Sequence, residues 1–258
     1  MLFSFWSGPV TWLERLSVAS ANAIGEEITV FTYENCDALS RQLGCRVADA
    51  ANVFPPDRLT EKSAPHFSDH FRLEGLAQGL GTWTDLDVVF VRPLPPSDYI
   101  FGWQNGGRIG NSVLRIPSES ELLKRYLAFC RERPLRRYVM PWMPWPTKCT
   151  RAIKGLFATA IGVRPPAPKY GPPALTHFAK VTGVDRLALP ESVLYPLPIK
   201  NRAIACVYEP GYLESRIGQE TVCVHLWRST FSGINGLHYP RAGWLANRAN
   251  ALLSSKAA

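Results

Sequence analysis

The amino-terminal segment alternates a strand, a helix and a second strand, and this order restricts the fold more than any other feature of the sequence. Leu2–Trp6 is a short apolar run that Ser7-Gly8-Pro9 stops, as is typical of a strand. Val10–Ala23 carries apolar residues at helical spacing, and Ile28–Tyr33 (ITVFTY) again has strand character. A βαβ unit of this kind implies a parallel sheet with a right-handed crossover, so we predict an α/β protein. Ligands of such sheets bind beyond the carboxyl ends of the strands, which places the loop from Trp6 to Pro9 at a candidate site.

The rest of the chain continues the alternation of helices and strands. Pro134–Pro173 differs in composition, being rich in Pro and Trp with scattered cations, and we interpret it as a loop-rich insertion in a single domain of residues 1–258. We predict a helix over Ser68–Gly79, which Ser68 caps and Gly79 and Gly81 end. The other predictions are helices over Glu119–Glu132, Lys148–Ile161 and Leu175–Val181, short strands over Val113–Ile116, Val193–Pro196, Ala203–Tyr208 and Thr221–Trp227, and a last short helix from Arg241.

Length and cysteine content fit an intracellular domain with a large core. A chain of 258 residues, 46% of them apolar, is long enough for one large α/β domain. No two cysteines have CxxC spacing, so we expect reduced and mostly buried thiols. The six cysteines are Cys36, Cys45, Cys130, Cys149, Cys206 and Cys223.

The net charge of +8 favours an anionic partner, which leaves a nucleic acid, a phosphorylated small molecule and an acidic membrane surface as candidates. The basic residues form no dense stripe; the nearest is Arg131–Arg137, followed by Lys148, Arg151 and Lys154. A basic nucleic-acid-binding protein needs such a stripe with a reading helix or stacking aromatics, and neither is evident, so we expect no nucleic-acid partner.

The start of the chain lacks a basic leader, and no run of about eighteen apolar residues occurs. We therefore expect a cytoplasmic protein that is soluble or peripheral at the inner face of the membrane. In the insertion, Trp142 and Trp145 lie among cations, a mixture that suits contact with anionic lipid. The alternatives are an ordinary loop and a membrane-surface protein without catalysis.

Two aspartates directly precede an apolar run in the segment GTWTDLDVVFVRP. In an extended chain Asp85 and Asp87 point the same way, about 6.6 Å apart along the strand. Like charges this close repel, and burial without a partner would cost several kcal/mol. A divalent metal resolves the conflict, since carboxylate oxygens suit Mg²⁺ or Mn²⁺, which also hold phosphate oxygens. The alternative is a pair of solvated turn aspartates.

The residues around this pair follow a known order, which is Ser68-Asp69-His70-Phe71-Arg72, then Leu76, Gly81, Trp83, Asp85, Leu86, Asp87 and Pro93-Leu94. This order resembles the signature of the DXD-containing sugar-binding glycosyltransferases, which include α-1,4-galactosyltransferases, yeast α-mannosyltransferases and bacterial capsule or lipopolysaccharide enzymes. Leu80 replaces the first glycine of the signature's pair, and Trp83 replaces its usual tyrosine. Several of these residues agree with the signature in both type and spacing over about 27 positions.

Shorter stretches resemble other parts of the same family. They are FSFWSGP at the opening strand, IGNSVLRIP after the DXD strand, YGPPALTHF at a helix start, and VHLWRSTF near the end. The resemblance implies a GT-A fold with a Rossmann-like, mostly parallel central sheet flanked by helices. It also implies a metal-bound nucleotide-sugar donor and transfer with retention of the anomeric configuration.

The resemblance assigns the metal ligands. Asp87 would bind the metal directly, and Asp85 would bridge the metal and hydroxyls of the ribose or sugar. His225 would be a third ligand, because a late histidine has this part in similar retaining enzymes, and a neutral imidazole favours Mn²⁺ over Mg²⁺. Trp227 would cover the diphosphate or sugar. The alternatives are a hydrogen-bonded core histidine and a core tryptophan.

Donor contacts follow from the same resemblance. Asp69 would accept hydrogen bonds from sugar hydroxyls, and Arg72 would meet the sugar or diphosphate, although residues three apart on a helix can also pair with each other. Trp6 would stack on the base, with Ser7 and Gly8 allowing close approach of the backbone, unless Trp6 is a core residue.

Weaker assignments complete the predicted site. Asn111 would reach the acceptor or donor sugar, and Gly171-Pro172 would shape the acceptor side. His66 and His70 have weaker claims to the site. The predicted protein is a retaining hexosyltransferase that moves a hexose, with UDP-hexose favoured over GDP-mannose, to a glycan or lipid-linked acceptor in surface polysaccharide synthesis.

Overall fold

The computed structural model describes residues 1–59, 64–104, 107–131, 139–162, 170–198, 209–229 and 238–254. The strands are β1 (Leu2–Phe5), β2 (Ile28–Thr32), β3 (Arg46–Asp49), β4 (Thr82–Thr84), β5 (Val88–Phe90), β6 (Trp103–Gln104), β7 (Arg108–Ile109), β8 (Val113–Leu114) and β9 (Cys223–His225). The helices are α1 (Trp12–Ala23), α2 (Cys36–Leu43), α3 (Ala64–Ala77), α4 (Glu121–Arg131), α5 (Trp145–Ala160), α6 (Pro172–Val181), α7 (Glu191–Leu194) and α8 (Gly243–Leu253).

A five-stranded sheet in the order β3-β2-β1-β4-β8 forms the centre of the fold. The first four strands are parallel, and β8 joins the edge antiparallel to β4. Helices flank this sheet, which confirms the predicted α/β class with a mostly parallel central sheet. Two smaller antiparallel pairs, β5-β9 and β6-β7, lie outside it among the described residues.

Helix α1 connects β1 to β2 as the sequence predicts. Thr11 caps the first turn, and the Glu14 carboxylate accepts a hydrogen bond from the backbone N–H of Thr11, so the two residues form a capping box. The helix packs against β5 and α8 and buries Leu13 and Leu16 completely.

Helix α3 begins at Ala64, so the prediction that it starts at a Ser68 cap is wrong. Ser68 lies a turn inside the helix, where its side chain accepts a hydrogen bond from Arg72 instead of capping backbone amides. The helix packs on β1, β4 and α4, and Phe67 and Phe71 are fully buried in the largest apolar cluster. Packing of these aromatic residues extends the helix beyond the point that local capping signals indicate.

The expectation that Asp85 and Asp87 lie in one extended chain is also wrong. β4 ends at Thr84, a turn follows, and β5 starts at Val88 and leaves the central sheet to pair with β9. Side chains of α1 fix this departure, since the hydroxyl of Ser17 donates to Val88 O over 2.7 Å and that of Ser20 accepts from Phe90 N over 2.9 Å. Asp85 and Asp87 therefore lie in a turn between two sheets.

Other differences are local. Val193–Pro196 is not a strand, because Glu191–Leu194 forms a short helix that Pro190 opens, and Leu194 is buried in it. Helix α6 begins at Pro172, where a proline without an N–H is tolerated, and not at Leu175. Helix α2 and strand β3 were not predicted, and Ala203–Tyr208 lies outside the described residues.

The five described cysteines form no disulfide, as expected, although burial varies. Cys130 and Cys223 are buried and Cys149 is exposed. Cys206 lies outside the described residues. Within the described part of the chain, every helix is too short or too polar to cross a bilayer.

Gly81, which precedes β4, is expected to be intolerant of a side chain. Its φ is +110°, and a Cβ would lie 2.5 Å from the backbone oxygen of Met1, the acceptor of the Thr82 amide. We expect Gly81→Ala to lower the free energy of unfolding by about 3 kcal/mol through backbone strain and overpacking. Gly79→Ala is the matched control, because Gly79 has a φ of +71° and open space around the Cβ position, so strain alone should cost about 1 kcal/mol. Urea unfolding of both variants measures the difference, and equal losses would contradict the steric explanation.

Candidate metal and donor site

Pairing of β5 with β9 brings the turn aspartates to a residue far along the chain. Val88 stands opposite His225 in this pair, and the backbone N–H of Leu226 donates to Asp87 O over 2.8 Å. The N–H of Arg228, 141 residues beyond Asp87, donates to the Asp87 carboxylate over 2.7 Å. The strand register therefore holds Asp87 and His225 side by side.

Asp85, Asp87 and His225 each offer a ligand atom, and these atoms all lie within 4.8 Å of one another. His225 Nε2 is 3.1 Å from Asp87 Oδ1. Neighbouring ligands of an octahedral ion with bonds of about 2.1 Å are about 3 Å apart, and opposed ligands are about 4.2 Å apart. The separation of His225 Nε2 and Asp87 Oδ1 is that of neighbouring ligands, and no separation among the three ligand atoms exceeds 4.8 Å. Two carboxylates and one imidazole are a donor set that suits Mn²⁺ or Zn²⁺ and, less well, Mg²⁺.

Burial and mutual interactions shift the pKa values of these three residues. Burial raises the pKa of Asp85 to about 6, with a contribution from Asp87 and opposition from Arg72. Burial also disfavours the charged form of Asp87, but the charge and hydrogen bond of His225 outweigh it and hold the pKa of Asp87 below its usual value. Burial disfavours protonation of His225, yet Asp87 raises its pKa overall. Two carboxylates in one buried turn therefore attract a proton or a cation.

Asp85 connects Asp87 and His225 to a buried arginine. Trp83 Nε1 donates to Asp85 Oδ1 over 2.8 Å, and Arg72 Nη2 lies 3.4 Å from the same oxygen. Arg72 is only 5% exposed, and its guanidinium packs 4.7 Å above the centre of the Trp83 ring. The aromatic residue at the signature's tyrosine position thus supports both the carboxylate and the guanidinium.

Asp69 and Asn111 lie on the other side of Arg72. Arg72 Nη2 is 3.3 Å from Asp69 Oδ1, and Asn111 Nδ2 donates to the same oxygen over 2.8 Å. Arg72 also donates through Nη1 to the backbone oxygen of Asn111. Asp69 and Arg72 therefore pair with each other, as one of the two sequence interpretations holds. The pair also lines the cleft, so a role toward a ligand is compatible with it.

Gly171 closes this end of the site. It precedes α6, and a Cβ there would lie 3.0 Å from Asp69 Oδ2. The glycine therefore permits close packing of the start of α6 on the Asp69 carboxylate. This contact places Gly171-Pro172 next to Asp69 and Asn111, and their predicted part in acceptor binding remains a prediction.

A cleft of about 270 Å³ lies beyond the carboxyl ends of β1 and β4. It is the position that parallel-sheet topology favours for a ligand. Both turn aspartates, two guanidinium groups and two tryptophans face it. Its lining residues are Ser4, Phe5, Trp6, Ser68, Asp69, Arg72, Trp83, Asp85, Leu86, Asp87 and Arg228.

Arg228 is a cleft residue that the sequence interpretation missed. Its guanidinium lies 4.7 Å from the centre of the Trp6 ring and pairs with Glu14, whose side chain is fully buried. Burial lowers the pKa of Arg228 from its usual value. The only sequence signal was its position directly after the predicted His225 and Trp227 in VHLWRSTF. The buried Glu14 at the start of α1 accounts for its placement beside Trp6.

Trp6 lines the cleft, but Ser7 and Gly8 do not lie among its lining residues. The Ser7 hydroxyl and the Gly8 amide each donate to Glu34 Oε1 over 2.8 Å, and Trp6 Nε1 donates to Gly8 O over 2.9 Å. Glu34 follows β2, so the loop after β1 is tied to the loop after the neighbouring strand. Trp6 also packs on the apolar cluster beneath it. It is therefore partly a core residue, as one interpretation holds, and it also faces the cleft, as stacking on a base would require.

Trp227 packs on His225 and is not among the residues that line the cleft. Its ring centre is 4.0 Å from that of His225, and its Nε1 donates to Leu197 O over 3.0 Å. Trp227 has a φ of +54°, a conformation that costs a non-glycine residue about 1–2 kcal/mol. This strained residue directs His225 and Arg228, on either side of it, toward Asp87.

His70, one of the two weaker histidine candidates, is not among the residues that line the cleft. His70 is buried, and its Nε2 lies 3.0 Å from Glu74 Oε1 within α3, with Phe54 packed on its ring. The side chain of His66 is outside the described part of the structure.

Comparisons with known proteins leave the family open. No protein-family model matches this sequence, and no curated protein matches it. Four chains of solved structures match. One of them, titled "PaToxG Glycosyltransferase", is 9% identical, covers 72% of this chain and 71% of its own length, and has a TM-score of 0.42. The function of the chain therefore has to be argued from its own residues.

Proposed function

We propose that the chain is a metal-dependent retaining glycosyltransferase with a GT-A-type fold, which moves a hexose from a nucleotide-sugar donor to a glycan or lipid-linked acceptor. UDP-hexose is the favoured donor, and surface polysaccharide synthesis is the proposed setting. The observation that carries the proposal is the group of Asp85, Asp87 and His225 at a cleft that also contains Arg72 and Arg228. Acidic and imidazole ligands beside two guanidinium groups suit a metal–diphosphate unit.

The leaving group sets the chemical requirement. Cleavage of the bond between sugar and phosphate releases a nucleoside diphosphate whose negative charge grows in the transition state. A bound Mn²⁺ or Mg²⁺ would supply Lewis-acid stabilisation of that charge. Asp87 and His225 would hold the ion directly, while Asp85, fixed by Trp83, would bridge the ion and hydroxyls of the ribose or sugar.

Arg228 would add to the stabilisation of the diphosphate charge that the metal ion supplies. Its backbone is fixed on Asp87 and its guanidinium borders the cleft, so it is placed to contact the diphosphate. The guanidinium now lies over Trp6. A base that stacks on this tryptophan would displace the guanidinium, and base binding would thereby make Arg228 available to the phosphates.

Asp69, Arg72 and Asn111 would position the transferred sugar. Their mutual contacts fix the Asp69 carboxylate in the lining of the cleft. A carboxylate with one oxygen engaged by Asn111 and Arg72 can accept from sugar hydroxyls through its other oxygen.

Retention of configuration has two routes. Among the described residues that line the cleft, the carboxylates are Asp69, Asp85 and Asp87, so a double displacement would require Asp69 as nucleophile. Its ion pair with Arg72 makes it a weaker nucleophile. Same-face internal return, in which a leaving phosphate oxygen takes the proton of the acceptor hydroxyl, needs no further carboxylate, and we favour it.

A nucleotide-sugar hydrolysis screen tests the proposal. The protein is incubated with UDP-glucose, UDP-galactose, UDP-N-acetylglucosamine and GDP-mannose, each with Mn²⁺ or with a chelator, and free nucleoside diphosphate is measured. We expect metal-dependent release from at least one donor, and a thermal shift with UDP and Mn²⁺ together that neither gives alone. Absence of both effects, with salt-sensitive binding of nucleic acid instead, would reject the proposal.

Arg228→Gln is expected to lower kcat/KM for the donor about 10- to 100-fold, since one charged hydrogen bond is worth about 1.5–3 kcal/mol. The variant also loses the Glu14 ion pair, so stability has to be controlled. Arg248→Gln is the matched control, because Arg248 is likewise half-buried, bonds Phe90 O over 3.0 Å and is not among the cleft residues. Arg228→Lys should recover part of the activity. Equal losses in Arg228→Gln and Arg248→Gln would indicate a structural effect only.

A further inference from the structure

Helix α5 has an apolar face that points away from the protein. Its large apolar side chains are mostly exposed, and their spacing places four of the five on one side of the helix. Gly155 is buried and Lys148 half-buried, and both lie on the opposite side. The exposed residues are Trp145 (76% exposed), Ile153 (55%), Leu156 (66%), Phe157 (70%) and, just past the helix, Ile161 (75%).

The helix is attached to the protein through the segment before it. Trp142 packs between Phe129 of α4, with ring centres 5.5 Å apart, and His177 of α6, at 5.9 Å. The segment that precedes α5 is therefore anchored on α4 and α6, while the apolar face of the helix is exposed. Exposed apolar groups of this size mark an interaction surface more often than a free surface.

The charge of the sequence that contains α5 restricts the kind of partner that its apolar face can bind. The sequence from Arg133 to Val184 contains nine Lys and Arg residues and no Asp or Glu. The rest of the chain holds 20 Lys and Arg against 21 Asp and Glu, so this one segment accounts for the whole positive net charge. Within α5, the cations Lys148, Arg151 and Lys154 occupy the side away from the apolar face.

We propose that α5 is an interfacial helix that docks the protein on an anionic lipid bilayer. Its apolar face would enter the boundary between headgroups and acyl chains, and the acid-free segment around it would be attracted to the negative surface. A second copy of this chain would meet the same positive charge and be repelled. Nucleic acid would satisfy the cations but leave the Trp, Leu and Phe side chains in water. The proposal does not depend on the transferase activity.

Vesicle cosedimentation tests the docking. The full chain is mixed with vesicles of phosphatidylcholine alone or of phosphatidylcholine with phosphatidylglycerol, at low and high salt. We expect binding to the anionic vesicles that weakens as salt rises, and little binding to the neutral ones. The double variant Leu156→Glu, Phe157→Glu should bind at least about tenfold more weakly, because it puts two charges on the inserted face.

Two further variants separate the contributions. Leu187→Glu is the matched control, since Leu187 is 46% exposed on a short helical turn outside α5, and it should bind like the unchanged protein. Arg151→Gln with Lys154→Gln should weaken binding and reduce its dependence on salt. Unchanged binding in the α5 double variant would overturn the proposal. So would concentration-dependent self-association that this variant abolishes, or retention on RNA that exceeds retention on anionic vesicles.

Discussion

Asp87→Asn is expected to lower metal-dependent release of nucleoside diphosphate about 10³-fold and to weaken Mn²⁺ binding, with little change in the fold. The substitution keeps the size of the side chain, and an amide oxygen can still accept from the N–H of Arg228. It removes the charge that faces His225 Nε2 at 3.1 Å and that would bind the ion directly. Loss of one electrostatic contact to a developing charge costs about 10²–10³ in rate, and loss of the ion itself costs more.

Asp98→Asn is the control for this substitution, because Asp98 is an exposed aspartate that is not among the cleft residues. Release of nucleoside diphosphate, Mn²⁺ binding by calorimetry and urea unfolding should be measured on both variants. An Asp87→Asn protein that folds, retains its rate and binds Mn²⁺ as before would remove Asp87 from the site. An Asp87→Asn protein that fails to fold would be replaced by His225→Gln in the same assays.

Much of the central fold follows from short-range patterns. The strand–helix–strand order of the first residues predicts the parallel β1 and β2, because apolar runs and helical spacing are local properties. Thr11 and Glu14, three residues apart, form the capping box that such spacing favours. The same reasoning fails at α3, where burial of Phe67 and Phe71 and not capping decides the start.

The site depends on long-range pairing, which local patterns do not carry. The sequence predicts Asp85 and Asp87 on one extended strand. Hydrogen bonds from α1 hold β5 away from β4, so the two aspartates lie in a turn between these strands. His225 was connected to Asp87 only through a resemblance, whereas the structure shows a pairing of β5 with β9. The sequence marks Arg228 only by its position after Trp227, since its place beside Trp6 depends on the buried charge of Glu14.

Arg72→Met is expected to lower the free energy of unfolding by about 3–5 kcal/mol, the cost of breaking a buried ion pair by removal of one partner. Arg72 Nη2 lies 3.3 Å from Asp69 and 3.4 Å from Asp85, so one guanidinium separates two carboxylates. Methionine fills much of the same volume over Trp83 but leaves the two carboxylates without the cation between them. Urea unfolding with an unchanged m value would measure the loss.

The matched control is Arg115→Met. Arg115 also donates to a hydroxyl, that of Thr82 over 2.6 Å, and to a backbone oxygen, that of Ser97 over 3.1 Å. Among the described residues it forms no ion pair. Its replacement should cost about 1–2 kcal/mol, the value of neutral hydrogen-bond partners. Adding Asp69→Asn to Arg72→Met should recover part of the stability, since it removes one of the two facing charges. If Arg72→Met costs no more than Arg115→Met, and Asp69→Asn recovers nothing, then Arg72 is held by its stacking on Trp83 and not by the carboxylates.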